Sequence, residues 1–251
     1  MKNIGIIFAG GLGTRMGVKD VPKHFLVVDE KPIVIHTLQH FQDHELIDEI
    51  YIACTNNWID YMQSLVDKWG ITKVKGIVEG GKTGQDSIYN ALVEAHRHND
   101  DDDIVLIHDG VRPFISHDLI TSNIEDTIKY GNSITCTNCN ETFITSYNGK
   151  DVGSVAIRNQ SFNAQAPQAF RLGEVIEAHN EMRKINPDYI DVVDNCTLFH
   201  MLNKKCYLTY GVRGNIKITN PVDIYVFKAW LDFKNSGEKV IGIPDINKEE
   251  E

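Results

Sequence analysis

Residues 4–17 read IGIIFAGGLGTRMG, and the fold predicted for the rest of the chain is built outward from this stretch. Its apolar run at 4–8 predicts a buried first strand. The glycines that follow allow backbone N–H groups to approach an anion closely. Arg15 and Lys23 add two positive charges near this loop. Together these features favour a binding site for a triphosphate over a simple tight turn between a strand and a helix.

The loop differs from the two common phosphate-binding motifs. It is not a P-loop, because no Lys-Ser or Lys-Thr pair follows the glycines. It is not a clean G-x-G-x-x-G dinucleotide motif, and no acidic residue closes a second strand where a ribose would bind. A dehydrogenase with a bound dinucleotide therefore fits the sequence poorly.

Composition limits the class of protein. The chain has 251 residues, enough for one large α/β domain, and its 42% hydrophobic content supports a packed core. The net charge of −10, from 35 acidic and 25 basic residues, argues against a nucleic-acid partner, which requires a basic face. No apolar stretch is long enough to cross a bilayer, and the first residues lack the pattern of a signal peptide. We therefore expect no membrane contact and a cytoplasmic location.

The five cysteines are scattered and odd in number, which is typical of free thiols in a reducing compartment. Cys136 and Cys139 form a C-x-x-C pair, a spacing found in metal and redox sites. No second pair accompanies them, and they lie in a strand-like stretch. We interpret them as ordinary thiols.

Strand-like and helix-like segments alternate along most of the chain. The first half predicts strands at 50–53, 74–78 and 104–107, and helices at 58–69, 85–97 and 116–130. The second half predicts helices at 172–184 and 192–202, strands at 206–210 and 216–218, and a final helix from residue 221. This alternation predicts a single α/β domain over residues 1–251, with a mostly parallel sheet and helices on both faces. In such sheets ligands bind at the carboxyl ends of the strands.

The alternation breaks between residues 134 and 163. Two strand-like runs, 142–145 and 152–157, flank Asn148-Gly149, a strong signal for a hairpin turn. A hairpin inserted at this place is a candidate dimerisation arm, and the alternative is a simple hairpin at the edge of the sheet.

Four further motifs follow the first loop in a fixed order. They are GGKTGQDS at 80–87, HDGVRP at 108–113, QAPQ at 165–168 and NIKITNP at 215–221. With the first loop and the Pro-Lys pair that ends at Lys23, this pattern resembles the family of methylerythritol-phosphate and ribitol-5-phosphate cytidylyltransferases. The resemblance implies a Rossmann-like homodimer with a protruding β-arm. It also implies that CTP and a polyol phosphate react, with Mg²⁺ as cofactor, to give a CDP-polyol and pyrophosphate.

The resemblance also assigns roles to residues. Arg15, Lys23 and Lys217 would act in catalysis, because two anions must be brought together and negative charge develops on the phosphates. The nucleotide-binding positions implied are Ala9, Gly10, Gly11, Leu12, Gly13, Gly81, Ser87 and Asp109. Asp109 would also orient the metal, unless it is a helix N-cap. Ser87 either reads cytosine or caps the following helix.

Four residues match positions that hold the acceptor. Arg112 would bind the acceptor phosphate, unless it forms a surface ion pair. Thr142 and Arg158 lie on the arm and would serve the site of the partner chain. Asp194 matches an acidic position near the acceptor's hydroxyl groups, and the competing interpretation is an acid on a helix surface.

Several positions depart from the family pattern. His24, Gly84, Gly110 and Ala166 replace residues that the pattern usually has, and none of them removes a central cation. The arm sequence ETFITS at 141–146 favours ribitol 5-phosphate, a substrate of teichoic-acid synthesis, over methylerythritol phosphate as the acceptor. A non-catalytic nucleotide-binding relative is a further alternative, but the retained Arg15, Lys23 and Lys217 disfavour it.

Overall fold

The computed structural model describes residues 1–10 and 21–236, and within these ranges seven strands form one central sheet. The strands of the chain are β1 (Asn3–Ala9), β2 (Val27–Val28), β3 (Lys31–Pro32), β4 (Glu49–Cys54), β5 (Val74–Glu79), β6 (Ile104–Asp109), β7 (Asn132–Asn138), β8 (Ile144–Thr145), β9 (Ser154–Val155), β10 (Phe162–Arg171) and β11 (Leu208–Tyr210). The α-helices are α1 (Ile33–Asp43), α2 (Ile59–Lys68), α3 (Gly84–His96), α4 (His117–Tyr130), α5 (Leu172–Ile185), α6 (Asn195–Met201) and α7 (Pro221–Ser236).

The central sheet has the strand order β11-β7-β10-β6-β1-β4-β5. β10 runs antiparallel to both of its neighbours, and the other pairs in the described sheet are parallel. The prediction of a mostly parallel sheet is confirmed. β1 lies inside the sheet, between β6 and β4, so the first motif follows an interior strand.

Alternate residues of β1 face opposite sides of the sheet. Ile4 and Ile6 pack with apolar residues of α3, α5 and α6, whereas Ile7 and Ala9 pack with those of α1, α2 and α4. All four are buried, and burial of each isoleucine contributes about 1.5–3 kcal/mol. The predicted placement of helices on both faces is confirmed.

The ends of the predicted helices carry residues typical of such positions. Ser116 accepts a hydrogen bond from the backbone N–H of Leu119 at the start of α4, and Gly131 ends that helix with φ at +92°. Gly70 follows α2 with φ at +64°. These positive φ angles suit glycine, which lacks a Cβ atom.

The arm is shorter than the predicted 134–163, because residues 134–138 and 162–163 belong to β7 and β10 of the central sheet. What projects is the segment 139–161, which contains the antiparallel pair β8 and β9. These strands have two residues each, so the predicted runs 142–145 and 152–157 were too long. Gly149, at the turn, has φ at +70°.

Other assignments also differ from the prediction. Residues 216–218 were predicted as a strand but have no regular secondary structure. α6 begins at Asn195 rather than at residue 192, because Asp194 caps it. Neither the helix α1 nor the strand β10 was predicted. None of the described helices is long and apolar enough to cross a membrane.

Candidate active site

A cleft lies where β1 and β6 end, and it consists of two adjoining cavities. We call the first, of about 290 Å³, the glycine-loop cavity; its lining includes Ala9, Gly10, Lys23, Gly81 and Ser87. We call the second, of about 350 Å³, the amide-rich cavity; its lining includes Gln85, Arg112, Gln165, Gln168, Asp194 and Asn195. Phe8, Gly84, Asp109 and Lys217 line both. The cleft lies at the carboxyl ends of parallel strands, as expected for this fold.

Asp109 stands at the junction of the two cavities, with its carboxylate buried between two cations. Its Oδ1 lies 2.5 Å from Nζ of Lys217. Its Oδ2 accepts hydrogen bonds from Nε and Nη2 of Arg112, each at 3.3 Å. Burial opposes ionisation, but the charges of Lys217 and Arg112 hold the pKa of this carboxyl below its usual value. The group is therefore a fixed negative charge paired with two positive ones.

This arrangement decides between alternatives left open by the sequence. Asp109 is not a helix N-cap, since Ser116 caps the next helix. Arg112 is not in a surface ion pair, because it is only 8% exposed. Its remaining contact is a hydrogen bond from Nη1 to the backbone oxygen of Asn215, at 2.7 Å. Arg112 thus positions Asp109 and the segment that carries Lys217.

The irregular segment 215–218 is held in place by hydrogen bonds from outside it. Lys23 donates from Nζ to the backbone oxygen of Ile218 at 3.0 Å, and the N–H of Ile218 donates to the oxygen of Val111 at 2.8 Å. Asn215, which is fully buried, donates from Nδ2 to the oxygen of Ala166 at 2.7 Å. The structure thereby brings the predicted pair Lys23 and Lys217 to the glycine-loop cavity, with 40% of the Lys217 side chain exposed.

Ser87 forms two hydrogen bonds within the second glycine loop and lies close to Gly10 of the first. Its hydroxyl donates to the backbone oxygen of Thr83 and accepts from the N–H of Gly81, both at 3.0 Å. A Cβ atom on Gly10 would lie 2.9 Å from this hydroxyl, and one on Gly81 would lie 2.0 Å from Cβ of Asp86. Both positions therefore require glycine for lack of space.

The residue that caps α3 is Thr83, not Ser87. The Thr83 hydroxyl accepts from the N–H of Asp86 at 3.0 Å, and the Asp86 carboxylate accepts from the N–H of Thr83 at 3.2 Å. This capping box satisfies two backbone donors at the helix start. The alternative that Ser87 serves as the cap was wrong, and its hydroxyl instead lies against the cavity.

Asp194 caps helix α6 and also lines the amide-rich cavity. Its Oδ1 accepts from the N–H of Thr197 at 2.8 Å, as an N-cap of α6, and its Oδ2 accepts from Nε2 of Gln168 at 2.8 Å. Gln168 also accepts, through Oε1, from the N–H groups of Asn195 and Cys196. Gln168 was not among the predicted site residues, although the QAPQ motif contains it.

The two predicted arm residues contact each other. Nη2 of Arg158 donates to the hydroxyl of Thr142 at 3.2 Å, and both side chains are exposed. Within the described part of the chain, neither residue lines the glycine-loop or the amide-rich cavity. The structure of one chain therefore does not bring them to the cleft.

Some predictions fall outside the residues that the structure describes. Arg15, Gly11, Leu12 and Gly13 lie in the segment 11–20. Among residues 1–10 and 21–236, no group of three or more histidine, cysteine, aspartate or glutamate side chains could hold a metal ion. Cys136 and Cys139 are buried free thiols, in keeping with their interpretation as ordinary cysteines.

His24 is a site residue that the motif pattern alone did not assign to the cleft. It lines the glycine-loop cavity beside Lys23 and is 1% exposed. Burial, helped by the charge of Lys23, lowers the pKa of His24 to about 3. The ring is therefore neutral near pH 7. The only signal in the sequence was that His24 departs from the family pattern.

Comparison with known proteins agrees with this geometry. The family "2-C-methyl-D-erythritol 4-phosphate cytidylyltransferase" (IspD) matches residues 4–232. A ribitol-5-phosphate cytidylyltransferase of Streptococcus agalactiae serotype V is 41% identical over 97% of this chain and 100% of its own. One of Vibrio parahaemolyticus is 41% identical over 92% of this chain and 96% of its own.

Solved structures of cytidylyltransferases are also similar to this chain. The 4-diphosphocytidyl-2C-methyl-D-erythritol synthase of Anaerococcus prevotii superposes with a TM-score of 0.77, at 27% identity, over 92% of this chain and 96% of its own. The 2-C-methyl-D-erythritol 4-phosphate cytidylyltransferase of Francisella tularensis has a TM-score of 0.76 at 28% identity, over 92% of this chain and 99% of its own.

Arg112→Gln tests whether Arg112 positions Asp109 in the free protein. The substitution leaves the buried carboxylate with one cation, so we expect the free energy of unfolding to fall by about 3–5 kcal/mol. The measurement is urea unfolding without ligands. Arg97→Gln, which removes the exposed Arg97–Glu94 pair, is the control and should cost under about 1 kcal/mol. Unchanged stability of Arg112→Gln would mean that the guanidinium is free to bind substrate.

His24→Gln tests the buried neutral histidine through pH. The folded pKa of about 3 lies below the ordinary 6.5, so as the pH falls the unfolded chain binds the proton first. His24 then lowers stability progressively below pH 6.5, by about 1.4 kcal/mol per pH unit, and has no such effect above it. His24→Gln should flatten the loss of unfolding free energy between pH 6.5 and 4.5, whereas His200→Gln, at an exposed position, should not. Parallel curves for wild type and His24→Gln would contradict this account.

Proposed function

The chain belongs to the IspD family of cytidylyltransferases, a family of nucleotidyltransferase enzymes, and we propose that it transfers a cytidylyl group from CTP to D-ribitol 5-phosphate. The products are CDP-ribitol and pyrophosphate. The observation that carries the proposal is the cluster of Asp109, Lys217 and Arg112 at the junction of two cavities. One cavity carries glycine loops suited to a nucleotide, and the other carries amides suited to a polyol.

The reaction joins two anions that repel each other, and the cations of the cleft can reduce this repulsion. A phosphate oxygen of the acceptor attacks the α-phosphorus of CTP, and pyrophosphate leaves in line with the attack. Lys23 and Lys217 reach the glycine-loop cavity and can offset the repulsion between the two phosphates. The partly exposed Lys217 can exchange its contact with Asp109 for a phosphate, while Arg112 keeps the carboxylate paired.

The residues present fit Mg²⁺ as an ion carried mainly by the nucleotide. Magnesium typically keeps water ligands and binds one or two carboxylates together with substrate phosphates. Of the described residues that line the two cavities, Asp109 and Asp194 are the carboxylates, and only Asp109 lies at their junction. Asp109 would hold the ion or its waters, and the bound ion would neutralise charge on the phosphates.

The arm supports a homodimer. Large apolar side chains of the arm are between 52% and 96% exposed: Phe143, Ile144, Tyr147, Val152, Val155 and Ile157. A two-stranded hairpin on its own is marginally stable, so an arm of this composition calls for a covering surface. A second copy of the chain would cover it and would bring Arg158 and Thr142 to the partner's cleft.

Ribitol 5-phosphate is favoured as the acceptor because relatives of that name match nearly the whole chain at 41% identity. The amide-rich cavity also suits a linear polyol, whose hydroxyl groups need hydrogen-bond partners along their length. Methylerythritol phosphate, named by the family and by the solved structures, is the second candidate. We place the reaction in the cytoplasm and its product in the synthesis of ribitol-phosphate polymers such as teichoic acid, and the free cysteines agree with a reducing compartment.

Pyrophosphate release tests the proposal directly. The purified protein is given Mg²⁺, one of the four nucleoside triphosphates, and one of a panel of tetritol and pentitol phosphates. CTP with ribitol 5-phosphate should give the highest kcat/KM, and Lys217→Ala should lower turnover by about 10²–10³-fold. Comparable rates with all four nucleotides would rule out cytidylyl specificity. A preference for methylerythritol phosphate would establish the second candidate instead.

Mixed dimers test the contribution of Arg158 to the partner's site. Arg158→Ala and Lys23→Ala should each be nearly inactive alone. In a mixed dimer of the two variants, one composite site carries both changes and the other carries neither. Random pairing makes about half of the dimers mixed, so roughly a quarter of all sites, and about half of the sites in isolated mixed dimers, should recover activity.

The measurement is turnover after co-expression, with mixed dimers isolated by two different affinity tags. Two copies of Lys23→Ala carrying the same two tags are the control and should stay inactive. Mixed dimers that form without regained activity would place Arg158 in its own chain's site, or outside the site.

A further inference from the structure

Gln85 is a polar residue on an otherwise apolar helix face. It lies in the first turn of α3, and the buried apolar positions that follow on the helix are Ile88, Ala91, Leu92 and Ala95. The spacing of these residues defines the stripe that packs against the sheet. Gln85 itself is 2% exposed, so its amide is as buried as the apolar residues below it.

The amide of Gln85 lacks a complete set of partners in the protein. Its Oε1 is buried and, within the described residues, accepts no hydrogen bond. An unsatisfied buried acceptor is costly, and native proteins keep few of them without a functional reason. The neighbouring loop explains neither the residue nor its burial, because Thr83 and Asp86 already cap the helix.

The cavity beside Gln85 identifies the missing partner. Gln85 lines the amide-rich cavity and not the glycine-loop cavity. The adjacent Gly84 leaves this place open, since a Cβ atom there would meet nothing within 4 Å. The lining of this cavity includes three apolar side chains, Phe8, Ile88 and Ile107, besides its polar ones. A hydroxyl group that enters the cavity can supply the hydrogen-bond partner that Gln85 lacks.

We propose that the side-chain amide of Gln85 hydrogen-bonds a hydroxyl group of the acceptor polyol and is a specificity-determining residue of the reaction. This inference rests on the proposed function. The ribose of CTP also carries hydroxyl groups, but Gln85 lines the cavity that holds Asp194 and Gln168 and not the one that holds Gly10 and Gly81. The acceptor is therefore the source of the hydroxyl.

The first test separates this role from a structural one. In Gln85→Leu and Gln85→Met, apolar side chains of similar size remove the unsatisfied amide, so the free protein should be as stable as wild type or more stable. The KM for the acceptor should rise about 10- to 100-fold, and the KM for CTP should stay within about twofold. Gln63→Leu, at an exposed position of α2, is the control and should change neither constant.

The second test uses the substrate. Monodeoxy analogues of ribitol 5-phosphate each lack one hydroxyl group. Wild type should discriminate against one of them by about 10- to 100-fold in kcat/KM, and Gln85→Leu should use that analogue and ribitol 5-phosphate about equally. A raised KM for CTP with unchanged KM for the acceptor would assign Gln85 to the ribose and overturn the proposal. Unchanged discrimination in Gln85→Leu would also overturn it.

If the proposed acceptor is wrong, the experiments give a different result from the one expected if only the role of Gln85 is wrong. If wild type prefers another polyol phosphate, the same series is carried out with that acceptor and its deoxy analogues. The role of Gln85 is then judged by the loss of discrimination alone. A Gln85→Leu protein that is less stable than wild type in urea would contradict the account of an unsatisfied amide, and Gln85→Met repeats the measurement with a more flexible side chain.

Discussion

A buried negative charge is the constraint on which this cleft depends. A carboxylate with little access to water is tolerated only when cations and hydrogen bonds surround it. Asp109 meets this requirement with Lys217 on one oxygen and Arg112 on the other. Because these cations come from different parts of the chain, the requirement joins the end of β6, the loop after it and the segment 215–218. The cations of the candidate site are thus placed by the same interactions that stabilise the fold.

The position of the cluster follows from the order of the strands. From β1 the chain proceeds to β4 and β5 on one side of the sheet, and β6 then lies on the other side of β1. Phe8 of β1 is paired in register with Asp109 of β6, and this is the last pair between the two strands. A crevice at such a reversal of strand order is where open α/β sheets bind ligands. The strand order thus determines where the cleft lies, and the loops provide many of the side chains that line it.

Much of the fold was predictable, because local patterns and tertiary packing agree over most of the chain. β1, the helix caps at Ser116 and Gly131 and the glycine loops follow from apolar runs and turn chemistry. β10 was missed because it contains Pro167, and its pairing with β7 is irregular between Ala164 and Gln168. The segment 216–218 has alternating residues typical of a strand, but side chains from elsewhere hold its backbone. The motifs identified Asp109 and Lys217 as site residues, whereas the burial of Gln85 and His24 depends on packing that a single sequence does not reveal.

The contact between Asp109 and Lys217 also makes the free cleft selective among anions. The Asp109 carboxylate competes with ligands for Lys217, because an anion that binds Lys217 must first displace this carboxylate. A singly bound ion such as free phosphate gains little from this exchange. A polyphosphate can contact Lys23 as well, and so recovers more than it displaces. We therefore expect free phosphate to bind this cleft more weakly than a polyphosphate does.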